Sequence, residues 1–249
     1  MTAGKGILAS NIAYLVLTFA VYPAAGLLLA YLGGRALGAE AGAVVRVMLL
    51  CQCLVVACVA PFFHSACGGA KPIQNVARSL LKTLGVIAAS ALIAAIAPPL
   101  LGVRAPLAWA AKTAGILAGF GTLLVCIGAF VQRLHAAPAA RLLVVYSVAA
   151  MMLGTVFYAN PAIAVARAPA KAALMQAAVT ANPLICVAGS ATGYDILLSR
   201  RSEVSLYSNS LIGPDHLYRY PAWWWAALYY CAAGAVFFGA SMIRRTKKD

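Results

Sequence analysis

Residues 181–225 read ANPLICVAGSATGYDILLSRRSEVSLYSNSLIGPDHLYRYPAWWW. This polar interval is set between apolar runs long enough to cross a bilayer. Three of the chain's five acidic residues, Asp195, Glu203 and Asp215, fall inside it. Two readings follow from that placement. Polar residues collect in connections, so the interval reads as a loop between transmembrane helices. It also reads as a folded cap over one mouth of a helical bundle.

Composition decides the solvent. Of 249 residues, 64% are hydrophobic and only 10% charged, and the mean hydropathy is +0.90. Soluble domains are about half apolar and about a quarter charged, so this chain belongs in a membrane. The apolar runs show no two-residue alternation, which excludes a barrel and leaves helices, the other structure that satisfies its backbone in lipid. The net charge of +14 does not point to nucleic acid, because the Lys and Arg residues sit in short connections and at the C-terminus rather than on one soluble face. They fit orientation in a bilayer. The seven cysteines lie mostly in apolar spans without CxxC spacing and read as small buried hydrophobes.

In order, spans are expected at about 6–32, 43–63, 83–101, 107–131, 142–158 and 223–243. The fold class is therefore all-α, a polytopic bundle of about six transmembrane helices forming one domain over residues 1–249. Pro98-Pro99 is expected to break the third span, and Asn160-Pro161 to stop the fifth. The basic segment GGAKPIQNVARSLLK, 68–82, reads as a loop in preference to an interfacial helix. Gly115, Gly119 and Gly121 give the fourth span small faces for close helix contact. A polar cap is expected over about 160–222. In it, Asn182-Pro183 opens a short helix to about Ser199, with Leu184, Val187, Ala188 and Ala191 on one apolar side. An ordered turn from Ser202 to Tyr220 follows. Tyr218, Tyr220, Trp223, Trp224 and Trp225 form an aromatic belt at headgroup level. Counting basic residues in the short connections puts both termini in the cytoplasm.

Several chemistries lack their residues. No Asp or Glu falls within an expected span, which argues against proton or sodium coupling. There is no GxxxxGK[ST] loop. His64, His135 and His216 lie in separate segments, so no metal site is expected, and no base-and-acid pair supports a nucleophile. The chain is read as a non-enzyme without a cofactor.

Three stretches carry a resemblance: LLCQCLVVACVAPFFHSA (49–66), LLVCIGAFVQRLHAAPAARLLVVYSV (123–148) and TANPLICVAGSATG (180–193). In this order they resemble the second span, the span-four-to-five connection and the post-span-five Asn-Pro segment of ABC-2-type transporter permeases. SNSLIGPDHLYRYPAWW (208–224) is similar to a bacterial subgroup of that family. The resemblance implies a permease subunit in the bacterial cytoplasmic membrane, paired as a homo- or heterodimer and driven by a separate nucleotide-binding ATPase. It places Lys71, Arg78, Arg133 and Arg141 as candidate ATPase-coupling residues. An acidic loop usual after span two in the family is absent from 68–82. The alternative is a non-transporting scaffold or assembly subunit that keeps the bundle.

Overall fold

The structure, a computed structural model, describes residues 41–66, 72–100, 106–134, 137–198, 212 and 217–243. The expected first span at 6–32, Lys71 and most of the turn from Ser202 to Tyr220 lie outside the described residues. Helix α1 is Ala41–Ala66, α2 Pro72–Leu100, α3 Leu107–Arg133 and α4 Pro138–Leu153. They are followed by α5 Thr155–Val165, α6 Ala170–Ala181, α7 Pro183–Cys186 with a π-helical turn over Val187–Ala191, and α8 Trp223–Met242. No strand occurs among the described residues.

Among the described residues, four helices are long and apolar enough to cross a membrane: Gly42–His64, Ile73–Ile96, Leu107–Arg133 and Trp223–Met242. Two further pairs meet the same criteria only when taken together. One is α4 with α5, bent by 56°, and the other is α6 with Pro183–Ala191, bent by 83°. The chain is thus an all-α integral membrane bundle.

Helix α3 is its axis, and glycine is the reason. A Cβ on Gly119 would come within 2.6 Å of the Ala227 carbonyl oxygen, and one on Gly115 within 2.7 Å of the Trp223 ring. Farther along, Gly234 of α8 faces the Leu123 backbone at 3.3 Å from its would-be Cβ. Helices α3 and α8 therefore run parallel at backbone contact, where lipid tails offer no competing drive and close packing supplies the attraction. Gly121 makes the matching gap for Thr83 of α2. Phe120 and Tyr230 meet edge to face, ring centres 5.9 Å apart.

Two boundaries differ from the sequence expectation. The basic segment expected as a loop is the start of α2, a continuous helix from Pro72, and Pro98-Pro99 lie inside its last turn instead of breaking it. Ser79, Thr83 and Ser90 donate to carbonyls four residues back, so a buried polar row extends the helix into what composition marks as a connection. The fifth span breaks at Gly154, with Pro161 within α5. The reason is tertiary: the Leu153 carbonyl accepts from the Asn182 side chain just after α6, and the Thr155 hydroxyl donates to the Ala178 carbonyl of α6.

Candidate functional site

The site is a re-entrant hairpin with a latch at its base. Helix α6 enters the bundle from the end where α8 begins, and its depth is fixed by α8. The Tyr230 hydroxyl donates to the Thr180 carbonyl at 3.0 Å, and Tyr230 lies seven residues, about 10 Å, beyond Trp223. The chain turns there and climbs back through Pro183–Ala191 to Asp195, which again meets residues next to the start of α8.

Asn182 builds the turn. Its side-chain oxygen accepts from the Leu184 and Ile185 N–H groups at 3.0 and 3.1 Å, an N-cap to which Pro183 adds a preset φ. Its side-chain nitrogen donates to the Leu153 carbonyl at 2.6 Å, the last residue of α4. Thr155 answers from the other side, its hydroxyl 2.9 Å from the Ala178 carbonyl. One amide thus satisfies both helix breaks, in surroundings where an unpaired backbone group costs several kcal/mol. The climbing segment is buried almost throughout: Pro183 to Gly189 and Ala191 are buried, and Ser190 is half-buried. The expected one-sided apolar face is therefore a core segment, and the helix ends near Thr192 instead of running to Ser199.

The latch centres on Asp195, the sole carboxylate among the described residues. Tyr218 donates to it at 3.0 Å and Tyr220 at 2.6 Å. The Leu197 and Leu198 N–H groups add contacts at 3.1 and 3.3 Å. Burial pushes both phenols well above the usual tyrosine range, and the Asp195 charge pushes them further. The Tyr220 ring lies on Gly189, where a Cβ would run into it. Gln176 pairs with the backbone of Arg219 in both directions, at 2.8 and 2.9 Å. Nearby, the Arg46 guanidinium stacks over Tyr194, 4.6 Å from its centre.

The described residues singled out from sequence divide into four groups. Asn182 and Pro183 form the turn. Tyr218 and Tyr220 face Asp195 and Gly189, so they belong to the latch. Trp223 covers Gly115, while Trp224 and Trp225 are exposed and stacked, 5.0 Å between centres. Arg78, Arg133 and Arg141 lie together at the opposite end of the bundle. There Arg133 donates to the Ile243 carbonyl at 2.8 Å and caps α8. Sequence reading missed Thr155, Gln176, Tyr230 and the role of Asp195. The isolated acid two residues after Gly193, which has φ of 71°, was the one local signal for a turn anchored by a carboxylate.

Fold and site together define a helical integral membrane protein with a re-entrant hairpin packed into its bundle. Comparison with protein-family models, with curated proteins and with solved structures yields no match.

Proposed function

We propose that the chain is the membrane-spanning permease subunit of an ATP-driven transporter of the ABC-2 type, lining a path across the bilayer while a separate subunit hydrolyses ATP. The observation that carries this reading is the re-entrant hairpin. A segment that enters the bundle after a bent span and returns to the same end blocks a path from one side without crossing it. Its position in the chain is that of the TANPLICVAGSATG stretch on which the family resemblance rests. Irregular backbone at membrane depth survives only against protein or a water-lined path. Here the π-helical turn packs on α1, α3 and α8.

The basic end is the natural face for an ATPase, with Arg78 the exposed cation on α2. Affinity purification of the full chain from its native membrane, followed by an ATP hydrolysis assay, tests this. An associated ATPase lost on Arg78→Glu and kept on Arg167→Glu, at the hairpin end, supports the reading. A chain that purifies without any nucleotide-binding partner favours the scaffold alternative.

A further inference from the structure

The π-helical turn at Val187–Ala191 holds a hydroxyl that its own helix leaves unsatisfied. Other serines and threonines in the bundle settle on their helices. Ser79, Thr83, Ser90, Thr122 and Thr192 each donate to the carbonyl four residues back, at 2.6 to 2.9 Å. Ser190 has the Cys186 carbonyl at that offset, yet its Oγ is buried and makes no hydrogen bond. Thr113 Oγ1 on α3 is the other buried hydroxyl without a partner among the described residues. Only Ser190 lies where the helix leaves the α register. A π turn closes its bonds to the fifth carbonyl back instead of the fourth, and such turns recur at functional sites.

Return of this turn to the α register advances everything after it by about one residue, roughly 1.5 Å along the axis and about 100° around it. The deep end cannot take up that motion. Asn182 is tied to Leu153 and Thr180 to Tyr230, and the Cys186 thiol donates to the Val179 and Thr180 carbonyls at 3.5 Å. The shift therefore passes to the mouth of the hairpin, where residues 217–222 lie across it as a strap. Two contacts of the strap depend on register. The Tyr220 ring rests on Gly189, and both neighbours of that glycine, Ala188 and Ser190, carry the Cβ for which the ring leaves no room. Asp195, four residues beyond the turn, carries its carboxylate away from the Tyr218 and Tyr220 hydroxyls when the turn rotates.

We propose that the π-helical turn is a register switch for the strap. In the latched state the turn is π, Gly189 sits beneath Tyr220 and the Ser190 hydroxyl goes unsatisfied. In the released state the turn is α, Ser190 donates to the Cys186 carbonyl, and the strap lifts from Gly189 and Asp195. The latched state dominates, because release gives up both phenol hydrogen bonds and the Gln176–Arg219 pair and gains one. Minor states of this kind are populated at about 0.1–10%. The switch is a property of the hairpin and does not rest on the transport reading.

Hydrogen exchange resolved to single amides, on the full chain in nanodiscs, tests the switch. The Arg219 N–H donates to Gln176 at 2.9 Å and reports release of the strap. The Ala191 and Thr192 N–H groups report the turn, where a change of register trades one carbonyl for the next and keeps them protected. In the unaltered chain Arg219 should exchange at least about fivefold faster than Ala191 and Thr192, the scale of one hydrogen bond kept. Ser190→Ala removes the hydroxyl that only the released state satisfies, so release becomes rarer and Arg219 exchange slows about fivefold. Thr113→Val, which removes the unpartnered hydroxyl outside the turn, changes it less than about twofold on that scale. Ala191 and Thr192 exchanging at the Arg219 rate would mean that the turn unravels, and this comparison needs no variant to fold. Arg219 exchange unchanged by Ser190→Ala, or slowed equally by Thr113→Val, would mean that the strap opens without the turn. Either result overturns the proposal.

Discussion

At one end of the bundle Asp195 is met by two phenols and two backbone amides; at the other, four cations face no carboxylate among the described residues. The first end is closed by its own chain. Asn182, Thr155, Gln176, Asp195, Tyr218 and Tyr220 each have an internal partner, so this end is set to hold one shape, with Ser190 Oγ the buried exception. At the second end Arg133 donates to the Ile243 carbonyl and the Lys82 ammonium lies over the Phe63 ring, so its cations are held without a carboxylate among the described residues. The difference separates stability from association: substitutions in the hairpin should change the fold, and those at the basic end should change what binds.

The largest effect is expected at Asn182. Asn182→Ala removes an N-cap and the hydrogen bond to the Leu153 carbonyl, a combined cost of about 2–4 kcal/mol. Thermal unfolding in nanodiscs measures it. A loss below about 0.5 kcal/mol, the level of an ordinary surface change, would mean that the turn does not depend on this amide.

Next comes Asp195→Asn, which keeps one acceptor oxygen but loses the charge. A cost of about 1–3 kcal/mol is expected, as for hydrogen bonds to a charged group. Tyr220→Phe should cost less, since Tyr218 remains to hold the carboxylate. If Tyr220→Phe proves the worse of the two, the latch is held by ring packing on Gly189 and not by the charge.

The latch also predicts a pH dependence of definite sign. Folding raises the proton affinity of the Tyr218 and Tyr220 phenols, through burial first and Asp195 second. Their stabilising contribution is therefore complete below the unfolded tyrosine pKa, about 10, and falls as pH rises above it. Ultraviolet titration of the 11 tyrosines should find Tyr218 and Tyr220 among those that resist ionisation at pH values where exposed tyrosines have ionised. In the Asp195→Asn chain that resistance should weaken.

Much of this division was legible in the sequence, and the rest was hidden for physical reasons. Apolar run length located α1, α3 and α8 to within a few residues, because the bilayer imposes length directly. Gly115, Gly119 and Gly121 announced close contact, though not with which helix. The start of α2 was obscured because Lys71, Arg78 and Lys82 mimic a connection, while the row Asn75, Ser79 and Thr83 that buries it has a polar composition. Pro161 looked like a stop and lies inside a helix; Gly154 looked unremarkable and is the break. Both outcomes depend on Thr155 and Asn182 reaching partners 23 and 29 residues away, which no local window contains.

The smallest effect should come from Arg133. Its hydrogen bond to Ile243 is solvent-exposed, so Arg133→Gln should cost less than about 1 kcal/mol and act mainly by fraying the last turn of α8. Hydrogen exchange confined to the end of that helix would sharpen the contrast; global destabilisation would erase it.

The central claim, that α6 and Pro183–Ala191 form a re-entrant hairpin and not a crossing span, is tested most directly by side-specific labelling. Single cysteines at Ala168 and Leu198, on a background with the native cysteines replaced, are exposed in sealed vesicles to a membrane-impermeant maleimide. Both positions should react from the same side, and a third at Ala137 only from the opposite side. Labelling of positions 168 and 198 from opposite sides would contradict the account.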